Sequence, residues 1–207
     1  MRAKVVVTFL ALFFLSFLPA LCAGAQGTSP GGWGTLETSG SGSDTILLVK
    51  VGGTRYQMGY WYGQLLAEEI VGAWTGISNG AGITEGQFDA AITSMWRSQY
   101  FDTAAWEAEL QGVADGCSAA GYPEVTFQDL QKMNLIPDIS ESGCGLFALW
   151  GGATVNGDLY QLRNLDWSMD LGIQDYPVVA IYHPDTGYQH AVIGFAGMLG
   201  CAGGGIN

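Results

Sequence analysis

Along the chain, apolar positions first recur at helical spacing and then, past residue 143, at strand spacing. A short apolar run over 46–51 predicts a strand that Gly52 and Gly53 turn. Tyr56, Tyr60, Gly63, Ala67 and Val71 make one stripe of a helix predicted over 55–74. Gly59 and Gly63, four apart on it, lower helix propensity but let another backbone approach closely. Thr84 followed by Gln87 has the form of a capping box and opens a second helix to about residue 100. Asp102 caps a third, ending near Gly121 and Pro123, and Thr126 caps a short fourth that Pro137 stops.

From Cys144 onward the runs "CGLFALWGG", "DLYQLRNLDW", "YPVVAIYHP" and "YQHAVIGFAG" are short and β-rich. Asn156-Gly157 and Asp185-Thr186-Gly187 between them are hairpin signals, so an antiparallel sheet is expected, with something laid over its apolar strands. The fold class is therefore α+β, helices first and sheet second.

Ahead of this pattern, Arg2 and Lys4 precede an apolar run over 5–21 and the small residues Ala23-Gly24-Ala25. That is the form of a secretory signal peptide over 1–25, with an uncleaved membrane anchor as the lesser alternative. The Gly, Ser and Thr of 26–44 read as a flexible linker, and 45–143 as a mostly helical leading segment. A secreted or extracytoplasmic location follows.

Charge narrows the partners. A formal net charge of -12 would repel a phosphate backbone, which excludes nucleic acid as a partner. Among the four cysteines, Cys22 leaves with the signal. An odd number then remains, so at least one thiol lacks an intrachain bridge. Cys117 shares a helical face with Trp106, Leu110 and Val113 and reads as core; a bridge from it to Cys201 is left open. Cys144, between two glycines, has no structural reason to be there. Downstream of it Arg163 is the sole Lys or Arg, with Asp166 three residues later. The pair is either a structural ion pair at a sheet edge or a device that sets the charge state of a reactive group.

Cys144, then "TVNGDLYQLRNLDW", then "GMLGCAGGGIN" resembles the cysteine N-terminal-nucleophile (Ntn) hydrolases. Within them the order is most similar to the autoproteolytic penicillin acyltransferase-like acyltransferases and hydrolases, and more distantly to bile-salt hydrolases and acid ceramidases. "GTRYQMGYWYGQLL" looks like that group's helical opening, so the likeness runs from about Val51 to the end. The resemblance implies an αββα sandwich. Residues 144–207 would begin its β domain, and the sequence would be an incomplete gene product whose 207 residues alone are inactive. It also implies a zymogen: Cys144 attacks the Gly143 carbonyl, the leading segment is cut free and can stay associated, and Cys144 becomes the N-terminal nucleophile. Its α-amine, with an unperturbed pKa near 8, then serves as general base.

By the same resemblance Asp166 would hold that amine, Arg163 would favour the thiolate, and Asn207 would help stabilise the oxyanion. The implied substrate is a small-molecule acyl amide, cleaved or transferred without cofactor or metal. Phe147, Trp150, Trp167 and Tyr182 could line an apolar acyl pocket or be core. The interval from Cys144 to Arg163 is a few residues longer than in bile-salt hydrolases, an excess that the loop near Asn156 can absorb. Two rivals stand beside this reading: a papain-like hydrolase using His183 or His190 as base, and a secreted binding domain without chemistry.

Overall fold

The computed structural model describes residues 30–42, 45–80, 82–96, 103–139, 143–199 and 204–206. The signal segment 1–25 and the residues Cys201 and Asn207 lie outside them. In chain order the elements are β1 (Trp33–Ser39), β2 (Ile46–Gly53), α1 (Arg55–Leu65), α2 (Ala67–Gly80), α3 (Glu85–Ala91), α4 (Ala104–Ala119) and α5 (Phe127–Ile139). They continue with β3 (Gly143–Gly151), β4 (Gly157–Asp166), β5 (Pro177–Pro184), β6 (His190–Phe195) and β7 (Gly204–Ile206). The protein is mixed α+β, helices preceding most of the strands.

The strands form two sheets, one five-stranded in the order β1-β2-β5-β6-β7 and one made of β3 and β4 alone. The expectation of consecutive antiparallel hairpins holds for β3–β4 and β5–β6. It fails between β4 and β5, which lie in different sheets; β5 pairs instead with β2, in parallel, across more than 120 residues of intervening chain. Both strands are apolar, and burial of Val49 and Val51 beside Val178, Ala180 and Tyr182 outweighs sequence order. Those side chains meet Met58 and Tyr62 of α1 and Leu110, Val113 and Cys117 of α4 in one core. A second cluster joins Ala73 and Ile77 of α2 to Met133 and Ile136 of α5.

The helices α1 and α4 cross at four glycines. A Cβ on Gly59 or Gly63 would overlap the backbone of Glu109 or Val113, and one on Gly112 or Gly116 would overlap that of Tyr56 or Tyr60. The close approach expected at Gly59 and Gly63 is thus real, and α4 answers it with its own pair. Cys117 is a free, buried thiol at this contact, donating to the Gly63 carbonyl at 3.6 Å. Burial pushes its pKa up to about 12. Trp106, expected on the same face, is exposed.

Several boundaries differ from the sequence expectation. The stretch read as linker contains β1, paired with β2 along its length. Leu36 packs on the core, and the Trp33 indole covers Gly52. Two apolar anchors among small polar residues are enough for a strand where composition suggested none. The helix expected over 55–74 breaks at Leu66 (φ −120°, ψ 20°), whose side chain is fully buried, and resumes as α2 to Gly80. The Thr84 capping box is present, but α3 ends at Ala91 and passes into a π-turn over Ile92–Trp96. Asp102 lies outside the described residues, and α4 starts after Thr103. Thr126 caps α5 together with Asp129. Pro137 does not stop α5 but sits in its last turn, two residues before the end.

Candidate active site

The hairpin β3–β4 begins at the Gly143-Cys144 peptide. Its turn is closed by Thr154, which donates through Oγ1 to Asp158 O at 2.9 Å, between Gly151 and Gly157, both at positive φ. From Gly143↔Asp166 to Leu149↔Tyr160 the antiparallel register is unbroken, with an irregularity only beyond Leu149. Pleating alternates side chains between faces. Cys144 therefore shares a face with its partner Leu165 and with Leu146 and Arg163. Gly143 and Gly145 share the other face with Asp166 and Asn164.

Arg163 lies diagonally across the ladder from Cys144, a distance a long side chain spans. Its Nη2 donates to Cys144 Sγ at 3.2 Å. A guanidinium can only donate, so the sulfur is the acceptor of this bond. Asp166 is placed differently. It does not share the thiol's face; its Oδ2 lies 3.6 Å from where a Cβ on Gly143 would stand. The Cys144 backbone nitrogen belongs to the strand rather than to either face. Arg163 and Asp166 thus flank the Gly143-Cys144 junction from opposite sides. Asn207 lies outside the described residues, although β7, the strand just before it, pairs with β6 in the five-stranded sheet.

Asn164 stands two residues before Asp166 on the same face of β4. Its Nδ2 donates to Asp166 Oδ1 at 3.2 Å. The i, i+2 spacing on a strand was the signal available for that pair. Asn134 was missed altogether. Buried on α5, it donates to the Gly197 carbonyl at 2.8 Å and accepts from the Leu199 amide at 2.8 Å, fixing the turn after β6.

The hairpin is open. Every residue of β3 is exposed, Leu146 and Trp150 each at 65%. Of the aromatics considered for a pocket, Phe147 and Trp150 are exposed on the hairpin, Trp167 packs against the second core cluster, and Tyr182 is core. Both histidines belong to the five-stranded sheet: His183 packs on Trp33 at 5.3 Å, and His190 stacks on Tyr182 at 4.8 Å. The hydrogen bond to Cys144 comes from Arg163 instead. Among the described residues no three His, Cys, Asp or Glu side chains gather as a metal site, and no helix is long and apolar enough to cross a membrane.

The strongly shifted groups lie elsewhere. Glu109, buried on α4, has its carboxyl pushed up by desolvation, partly countered by the Arg55 guanidinium at 2.9 Å. Tyr56 is raised to about 12, chiefly by its hydrogen bond to Asp115 at 2.7 Å.

No protein-family model matches the chain. It is similar to two proteins of Dictyostelium discoideum, named Protein dcd1B and Protein dcd1A. The first is 25% identical over 192 residues, covering 81% of this chain and 37% of the relative. The second is 28% identical over 200 residues, covering 81% of this chain and 44% of the relative. The chain thus spans about two fifths of the length of the curated relatives it matches.

Proposed function

We propose that the protein is a secreted, self-processing cysteine Ntn hydrolase or acyltransferase, with Cys144 as nucleophile on an αββα sandwich. The single observation that carries this reading is the Arg163 guanidinium on the Cys144 thiol at the first residues of a strand. The bond to be cut lies between Gly143, which has no side chain to obstruct attack, and that cysteine.

In the first step Cys144 Sγ attacks the Gly143 carbonyl carbon. The C–N bond breaks, the Cys144 nitrogen takes the thiol proton, and a thioester joins Gly143 to Sγ. Water hydrolyses the thioester, releasing the Gly143 carboxylate and restoring the thiol. Asp166, beside Gly143, accepts a hydrogen bond from the Cys144 nitrogen as the C–N bond breaks and then holds the amine so uncovered. The amine then relays protons when Sγ attacks the carbonyl of a small-molecule acyl amide, giving an acyl-enzyme that water or an amine resolves. Arg163 stabilises the sulfur anion in both rounds.

The test is intact-mass and N-terminal analysis of the secreted full-length protein. A chain starting at Cys144 is expected, and Cys144→Ala should abolish it. Normal processing in that variant would assign the cut to another protease. An intact chain, inert on an acyl-amide panel, would leave a binding domain.

A further inference from the structure

We propose that Asn164 is a positioning residue of this site, turning the Asp166 carboxylate over the Gly143-Cys144 bond. The inference rests on the self-cleavage reading above and adds a residue to it.

Three observations carry it. Asn164 and Asp166 sit on one face of β4, opposite Gly145 and Gly143. With no side chains on the facing strand, that face over residues 143–145 is left to the two polar groups. Next, the carboxylate is divided: Oδ1 accepts from Asn164 Nδ2, while Oδ2 faces Gly143. The bond to Oδ1 therefore selects which oxygen meets the junction. Finally, Asn164 Oδ1 is buried and has no hydrogen-bond partner among the described residues. Reversing the amide would set its oxygen against a carboxylate oxygen, so the donor must face Asp166. Asparagine is a poor strand residue, and leaving a buried acceptor unpaired is costly. A threonine or valine would serve a merely structural strand better. The asparagine's use is the one bond it makes to Asp166.

The experiment is a cycle in the full-length protein: Asn164→Ala, Asp166→Ala and both together, with appearance of the Cys144 N-terminus followed by mass. Asn164→Ala is expected to slow cleavage about 10- to 100-fold, the worth of a hydrogen bond to a charged group. It should have no further effect once Asp166 is alanine. Asn164→Thr, which keeps a donor and suits a strand, should recover most of the rate and guards against a folding defect. In 15N-asparagine-labelled protein, the Asn164 side-chain amide signals should move on Asp166→Ala. Wild-type rate in Asn164→Ala, full additivity in the double variant, or unmoved amide signals would each overturn the proposal. A wild-type chain that never exposes Cys144 sinks the self-cleavage reading, and with it this role. The amide signals then separate a misread function from a misread contact.

Discussion

Replacing Gly63 by alanine should weaken the fold, although alanine is the better helix former. The added Cβ would lie 2.8 Å from both the carbonyl carbon and the Cα of Val113, and closer still to its oxygen. Relaxed carbon contacts need about 3.5–4 Å, so α1 and α4 must part by roughly 1 Å. The obstructing atoms are backbone and cannot rotate aside, which puts the strain near the top of the usual overpacking range, about 3 kcal/mol. Alanine returns about 1 kcal/mol of helix propensity. A net loss of about 2 kcal/mol remains, or roughly 1 M in urea midpoint at an m-value near 2 kcal/mol/M. Gly86 in α3 is the control: a Cβ there meets nothing within 4 Å. Gly86→Ala should add the propensity gain alone, about 0.5–1 kcal/mol, or roughly 0.25–0.5 M in midpoint at the same m-value. Once the helices have separated, Gly59→Ala should cost less in the Gly63→Ala background than alone. A Gly63→Ala midpoint equal to or above wild type, with Gly86→Ala raised as expected, would refute the tight crossing.

Two further outcomes follow from the shifted groups. The Glu109 carboxyl is raised in the folded state, so folding takes up a proton there. Its contribution is then most favourable below the unfolded glutamate pKa, about 4.3, and declines as pH rises toward the folded value. Glu109→Gln should compare better with wild type at pH 7 than at pH 4 in urea unfolding; the opposite trend would place the charged form as the favoured one. Cys117, buried with its pKa pushed up to about 12, should escape iodoacetamide in the native protein at pH 8 while exposed Cys144 is alkylated, as read by peptide mapping. Equal labelling of the two would contradict the burial of α4.

What the sequence made legible was local. The capping residues Thr84 and Thr126 depend on neighbours a few positions away, and each is found where its pattern puts it; the Asn156-Gly157 signal marks the β3–β4 hairpin, although the turn runs over 152–156 and Gly157 already pairs with Gly151. The Gly59/Gly63 spacing revealed half of a helix crossing. Gly112 and Gly116 carry the same spacing, but a pairing across some 50 residues leaves no mark in either segment alone. The parallel match of β2 to β5 is hidden for the same reason. At the site, the isolated charge and the family resemblance related Arg163 to Cys144, and strand alternation accounts for their contact only with the register in hand. It was that register which moved Asp166 to the Gly143 side.

The position of the β3–β4 irregularity has a consequence for how this ribbon can vary. Pairing from Gly143 to Leu149 is regular, and the ladder loses step only between Leu149 and Gly151, next to the turn. Residues gained or lost at the tip are absorbed there and leave the cysteine end unmoved. A single insertion between Cys144 and Leu149, or between Tyr160 and Asp166, would exchange the two faces and carry the guanidinium away from the sulfur. Chain length is thus a free variable at one end of the hairpin and a fixed one at the other.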